Sequence, residues 1–279
     1  MRETPTDLVN PEARAAMAPP AIEVLSAHKT YPNGTVALQP VDLTVAEGEF
    51  VTLLGPSGCG KSTLLKMVAG LLEPTDGRLL LWRKPVAQLE ESQRKLAFVF
   101  QSPTLMPWAS VASNVRLPLD LSKVPREEAD KRVAEALSLV GLAKFASALP
   151  RALSGGMQMR VSIARSLVVQ PNLLLMDEPF GALDEITRHK LDSDLLALWA
   201  RKKLTVVFVT HSIHEAVFLS NRVVMMAARP GRIVEEVVID EPYPRTPDFM
   251  VTPRFATYAK RLQDSLLRAS TDTDEESAP

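Results

Sequence analysis

Nine short apolar runs punctuate the chain: "AIEVLSA", "VDLTVAEG", "FVTLLG", "GRLLLW", "KLAFVF", "NLLLMD", "LTVVFVT", "RVVMMAA" and "RIVEEVVI". Each has the length and aliphatic, β-branched character of a strand, and together they exclude an all-α protein. Several lack polar alternation and are separated by helical stretches. That pattern predicts a mostly parallel sheet covered on both faces, with the first strands forming a short antiparallel part. From about residue 103 to 170 the strand signals vanish. There "PREEADKRVAEALSLVGL" sets Val133, Ala136, Leu137 and Val140 at helical spacing, the mark of an inserted α-helical lobe. Near the end, "MVTPRFATYAKRLQDSLLR" places Phe255, Leu262 and Leu266 on one side of a short helix suited to dock on the main domain.

The division that follows is a tail over residues 1–20, a main α/β domain over 21–240, a C-terminal extension over 241–268 and an acidic tail over 269–279. The first tail is rich in Pro, Ala and charge without periodicity, and "ASTDTDEESAP" is polar throughout, so both read as disordered. No internal repeat or coiled-coil heptad interrupts this order.

Composition narrows the function classes. With 46% hydrophobic residues in 279, the chain can bury a substantial core. Its 32 Lys plus Arg against 33 Asp plus Glu leave no general basic field for nucleic acid or an anionic membrane. The lone cysteine, Cys59, has no disulfide partner, which fits a reducing, cytoplasmic setting. No run approaches the roughly 18 to 20 apolar residues of a spanning helix, and the N-terminus lacks an apolar signal core. A role at a membrane therefore requires a separate integral subunit.

The chemistry concentrates at "FVTLLGPSGCGKSTLLKMVAGL", where GxxxxGK[ST] falls on Gly55, Gly60, Lys61 and Ser62 between an apolar strand and an apolar helix. This is the pattern of a P-loop NTPase core. A loop of Gly55, Pro56, Ser57, Gly58, Cys59 and Gly60 turns its backbone N–H groups toward phosphate oxygens, and the helix opened by Lys61, Ser62 and Thr63 adds its positive end. Lys61 is expected against the β- and γ-phosphates and the Ser62 hydroxyl on Mg²⁺. Downstream, "NLLLMDEP" ends a strand in Asp177 and Glu178. Asp177 would support the metal, and Glu178 would orient or deprotonate an attacking water.

A second glycine turn, "LSGGMQMR" at residues 153–160, is what simple P-loop kinases and GTPases lack. With it, the chain resembles the ATP-binding subunits of ABC transporters, motif by motif and in order, over roughly residues 21–240. The resemblance implies a homodimer in which ATP is sandwiched between the P-loop of one subunit and Ser154, Gly155 and Gly156 of the other. It departs from the family's LSGGQxQR pattern at Met157 and Met159. It further implies that Tyr31 stacks on adenine, Gln101 contacts Mg²⁺ or water, Asp184 crosses the dimer interface and His211 reaches the γ-phosphate. Read alone, Tyr31 has a packing tyrosine as its lesser alternative, Asp184 a helix cap, and His211 a structural residue at a strand end, which its pairing with the upstream "MDEP" disfavours.

"SPTLMPWASVASNVRLPL", "FGALDEITR" and "THSIHEAVFLSNRVVMMAARPGRI" resemble the nitrate, sulfonate and taurine importer branch. The implied partners are integral membrane permease subunits and, indirectly, a solute-binding protein, at the cytoplasmic face of the inner membrane. Met106, Pro107 and Trp108 suit an exposed apolar socket for a permease helix, with Trp108 as a core residue the equal alternative. The terminal helix serves either the domain or the permease. A soluble ABC-type ATPase acting on nucleic acid or ribosomes is the alternative, disfavoured by the neutral charge and by the 52 residues between Gln101 and Ser154, too few for a long coiled coil. A small-molecule kinase leaves the second glycine turn and His211 unexplained.

Overall fold

A computed structural model describes residues 20–92, 94–181 and 183–275; residues 1–19 of the tail predicted over 1–20 and the last four residues of the acidic tail lie outside the described residues, and Pro20 opens the first strand. Its centre is a six-stranded sheet in the order β10-β9-β3-β8-β7-β6, made of β3 (Phe50–Leu54), β6 (Leu96–Val99), β7 (Leu173–Asp177), β8 (Thr205–Thr210), β9 (Arg222–Ala227) and β10 (Arg232–Val238). All neighbours run parallel except the edge strand β10, which pairs antiparallel with β9.

Both faces of this sheet are covered, which is why its strands read as unbroken apolar runs. Phe50, Leu54, Leu174, Met176, Val206, Phe208, Val223 and Met225 point into one core. The alternate residues, Val51, Leu53, Leu173, Leu175, Val207, Val209, Val224 and Met226, point into the other. Helix α1 (Lys61–Val68) fills that second core with Leu64, Leu65, Met67 and Val68, together with residues of an antiparallel sheet. That sheet runs β2-β1-β4-β5, from β1 (Pro20–Thr30), β2 (Val36–Ala46), β4 (Asp76–Leu81) and the two-residue β5 (Lys84–Pro85).

Two details differ from the sequence expectation. The first antiparallel strands are not short: β1 and β2 each span 11 residues, held in register through irregularities between Val24 and Ala27 and on to Thr30. Polar residues at these shifts break the alternation that would have shown their length.

Between β6 and β7 stand α2 (Val111–Leu121), α3 (Arg126–Leu139) and α4 (Gly155–Leu167), the helical lobe. Ala129, Val133, Ala136 and Leu137 are buried on α3 as the periodicity predicts. Helix α5 (Glu185–Lys202) and helix α6 (Ile213–Leu219) complete the first core with α7 (Pro253–Glu275). Helix α7 is the second difference. It buries Phe255 and Leu262 and packs Leu266 against the core, but runs 23 residues to Glu275, through residues 269–275 of the segment expected to be disordered. Once the docked turns exist, each added residue costs only its own ordering.

The strand order decides where chemistry can occur. Strand β8 lies between β3 and β7, with Leu54 beside Thr210 and Asp177 beside Val209. The loops leaving the carboxyl ends of β3, β7 and β8 therefore converge on one crevice, where open α/β sheets bind ligands. No helix among the described residues is long and apolar enough to cross a membrane.

Candidate active site

The loop after β3 enters α1 through Gly60, whose φ of 86° lies in the left-handed region open to glycine. A side chain there would also meet the Ala37 carbonyl at 2.9 Å, so β2 rests directly against the loop. No side chain caps α1, which leaves its first N–H groups to a ligand in the crevice. Ser57 and Gly58 are exposed while Cys59 is fully buried, and burial raises the Cys59 thiol pKa against the opposing pull of Lys61.

Lys61 is only 4% exposed. Its Nζ donates to the carbonyls of Gly55 at 2.7 Å and Pro56 at 2.9 Å, with Cys59 Sγ at 3.7 Å. The ammonium is thus held inside the loop by the loop's own backbone. One residue on, Ser62 Oγ donates to Asp177 Oδ1 at 2.7 Å. Asp177 ends β7 and is buried.

Glu178 then turns sharply, with φ at 43° in the left-handed region and its N–H bonded to the Val209 carbonyl at 3.0 Å. A non-glycine residue there costs of order 1 to 3 kcal/mol, held in place by the surrounding structure. The turn aims the carboxylate at two groups at once. Its Oε1 is 4.0 Å from Lys61 Nζ and its Oε2 is 3.3 Å from His211 Nδ1. A carboxylate fixed between an ammonium and an imidazole can accept a proton from water while the cation steadies developing negative charge. The paired oxygens of Ser62 and Asp177 are hard donors of the kind Mg²⁺ takes when phosphates and waters complete its shell.

The structure thus brings together Lys61, Ser62, Asp177, Glu178 and His211. Gln101, two residues past β6, is exposed and makes no side-chain hydrogen bond among the described residues. Tyr31 lies in the turn between β1 and β2, partly exposed, with Lys29 Nζ 5.9 Å from its ring centroid. That turn leads into Val36 and Ala37, and so sits beside Gly60.

Ser154, Gly155 and Gly156 form a separate group. Ser154 is the N-cap of α4, its hydroxyl accepting from Met157 N at 3.3 Å. Gly156 has no room for a side chain, since a Cβ would meet Thr187 Cγ2 at 2.7 Å. Asp184 caps α5 by accepting from Thr187 N at 2.9 Å, and that bond holds its carboxyl below the usual range. No hydrogen bond or ion pair among the described residues joins this group to Lys61 or Glu178. Met159 is buried in the core and Met157 packs partly against it. The polar ties fall to Gln158, whose amide donates to the carbonyls of Pro150 at 3.1 Å and Leu153 at 3.3 Å.

Trp108 is 79% exposed and Pro107 is exposed, whereas Met106 is half-buried. The tryptophan is therefore no core residue, and the expected trio of exposed side chains is a pair.

Several residues behind the crevice escaped the sequence motifs. Thr210 Oγ1 donates to Glu215, and Arg188 Nε lies 3.6 Å from Glu215 Oε1 while its Nη2 donates to the Leu183 carbonyl at 3.0 Å. Asp192, one turn along α5, is fully buried and accepts no hydrogen bond among the described residues. Burial first, and then the charge of Glu215, raise its pKa to about 8, against the attraction of Arg188. Burial also raises Glu215. The available signal was an acid inside an apolar stretch, "HEAVFL".

Comparison with known proteins gives a consistent picture. Residues 38–181 match the family described as ABC transporter. The taurine import ATP-binding protein TauB of Rhizobium johnstonii is 47% identical over 210 residues, 75% of this chain and 79% of its own. The aliphatic sulfonates import ATP-binding protein SsuB of Bacillus cereus is 43% identical over 227 residues, 81% and 88% of the two chains. Among solved structures, a dimeric ATP-binding cassette in a post-hydrolysis state with ADP and Pi superposes with a TM-score of 0.70 at 35% identity, covering 79% of this chain and 100% of that one.

Proposed function

The chain belongs to the ABC transporter ATP-binding family, a family of ATPases, and from that premise we propose that it powers import of a small sulfonate-, taurine- or nitrate-like solute. In this reading it works as a homodimer at the cytoplasmic face of the inner membrane, with integral permease subunits and a solute-binding protein. The observation that carries the mechanism is the carboxylate of Glu178 held between Lys61 and His211.

Lys61 and the N–H groups of loop 55–60 hold the β- and γ-phosphates, and Tyr31 stacks on the adenine. Ser62, Asp177 and Gln101 would hold Mg²⁺, which when bound neutralises phosphate charge. Glu178 accepts the proton of the attacking water, or orients that water, through the oxygen nearest His211. His211 steadies Glu178 and reaches the γ-phosphate. Ser154, Gly155, Gly156 and the N-terminal end of α4 complete the nucleotide site of the second subunit, and Asp184 lies along the same interface. ATP then joins the two subunits through contacts made only with the γ-phosphate, and its loss reopens them, biasing the permease between two access states. Exposed Trp108 offers an aromatic anchor to the permease, as buried interface cores favour.

The sulfonate and taurine importers among the relatives favour that solute class. Purification of tagged Glu178→Gln protein from detergent-solubilised native membranes in ATP tests the proposal. An integral membrane protein should accompany it. Recovery of ribosomal or DNA-bound material alone would overturn the transporter role and favour a soluble ATPase.

A further inference from the structure

His211 is half-exposed, so packing around its own ring does not fix where it stands against Glu178. Its place depends on the backbone around it. Two residues later begins α6, seven residues long and far too short to persist without outside support. At its start, Ser212 Oγ accepts from Glu215 N at 3.3 Å and Ser212 N donates to Thr210 Oγ1 at 2.9 Å, which locks His211 to the helix.

At the other end of α6 the Ser220 hydroxyl donates to Thr52 of β3 at 2.5 Å, and the last carbonyls are held by the chain after β10. Arg245 is 6% exposed, and its Nη1 donates to the carbonyls of Val217 at 2.9 Å, Phe218 at 3.0 Å and Ser220 at 2.9 Å. Its Nη2 donates to Ile239 and Glu241, both at 3.1 Å, joining the strand exit to the helix end. The Tyr243 hydroxyl donates to the remaining carbonyl, Leu219, at 2.9 Å, and its ring carries the guanidinium at 4.2 Å from the centroid. The orphan carbonyls of a helix end are thus answered by one cation and one phenol, the charge lying at the negative end of the helix. Alongside, Phe255 of α7 meets His214 with ring centroids 5.6 Å apart.

We propose that Arg245 is a positioning residue for ATP hydrolysis: by fixing the C-terminal end of α6 it sets the place of His211 against Glu178. The C-terminal extension is then a brace for the catalytic site. The inference rests on the role proposed above for His211. A lysine does not replace this arginine, because a single ammonium has no fork to reach carbonyls on both sides.

The test measures kcat and KM for ATP on the full-length chain carrying Arg245→Met, Arg245→Lys, His211→Ala, and Arg245→Met with His211→Ala. Arg245→Met and Arg245→Lys should each lower kcat roughly 10- to 100-fold while KM stays within about twofold, since displaced catalytic groups cost rate rather than binding. The double variant should be no slower than His211→Ala. Hydrogen exchange at the α6 amides should rise in Arg245→Met and not in His211→Ala. If Arg245→Met prevents folding, Tyr243→Phe removes one donor and should show the same pattern in milder form. Full activity of Arg245→Met, or losses that multiply in the double variant, would overturn the inference while leaving His211 in the mechanism. Undiminished kcat in His211→Ala would instead overturn the site assignment, and the inference with it.

Discussion

Glu178 and His211, 33 positions apart, meet at 3.3 Å because β7 and β8 are neighbours and end side by side. The strained turn at Glu178 has a purpose in this geometry: it points a carboxylate out of the strand line, toward both the histidine and Lys61. Glu178→Gln keeps the shape and removes the proton acceptor. Phosphate release should fall roughly 10²- to 10⁴-fold, nucleotide binding should persist, and size-exclusion chromatography in ATP should show an accumulated dimer. Normal turnover would remove Glu178 from the chemistry.

Lys61 presents a different balance. Its ammonium is buried among carbonyls and one carboxylate, so truncation empties the loop of its only internal cation among the described residues. Lys61→Ala should weaken ATP binding at least about tenfold, a loss of about 1.4 kcal/mol, measurable by equilibrium titration with a labelled nucleotide. Retention of both binding and turnover would contradict the phosphate-holding role.

The hydrogen bond between Ser62 and Asp177 ties the P-loop helix to the neighbouring strand end. If these oxygens serve Mg²⁺, Asp177→Asn should raise the Mg²⁺ concentration for half-maximal hydrolysis at fixed ATP by about tenfold or more, since a charged ligand is replaced by a neutral one. An unchanged Mg²⁺ dependence would leave Asp177 a purely structural bond.

How much of this was legible beforehand differs by kind of information. The P-loop, Asp177, Glu178 and His211 were readable because each sits at the end of a strand with a strong apolar signature, and parallel strands gather their carboxyl ends. The helical lobe was readable from the spacing of Val133, Ala136 and Leu137. By contrast, the lengths of β1 and β2 were hidden by bulges, and the exposure of Trp108 depends on a loop whose packing no periodicity encodes. Arg188, Asp192, Glu215 and Arg245 were invisible as a group, because their significance comes from burial beside partners far along the chain. Gln158 shows the same point: its neighbours Met157 and Met159 drew attention as departures from a pattern, while the intervening glutamine makes the bonds.

Trp108 offers a test that separates stability from partnership. At 79% exposure its loss should change stability by no more than about 0.5 kcal/mol, visible as an essentially unshifted Tm. Trp108→Ala should nevertheless lose most of the integral membrane protein recovered with the wild-type chain. A large fall in Tm would mean that the ring is packed, and undiminished recovery would remove it from the docking surface.

The buried acids Asp192 and Glu215 predict a pH dependence of known sign. Glu215 accepts from Thr210 and pairs with Arg188, while Asp192 accepts nothing among the described residues, so Asp192 is the one that holds the proton at neutral pH, consistent with its pKa of about 8. Because this folded value lies above the ordinary carboxyl range, the folded chain retains a proton that the unfolded chain releases between about pH 4 and pH 8. Stability must therefore fall as pH rises across that window. Asp192→Asn removes the titration. Any penalty for its unsatisfied amide is the same at every pH, so it offsets the variant from wild type by a constant and leaves the pH slope to report the titration. Relative to wild type, the variant should gain about 2 kcal/mol between pH 5 and pH 8, allowing for partial relaxation of a shift worth about 1.4 kcal/mol per unit. That gain corresponds to a relative Tm rise of about 4 to 8 °C in thermal unfolding scans. Glu215→Gln should do the opposite, lowering Tm by leaving the half-buried Arg188 without its counter-charge. A Tm difference between Asp192→Asn and wild type that stays flat from pH 5 to pH 8 would show that Asp192 is ionised throughout and that the proton resides elsewhere in the pair.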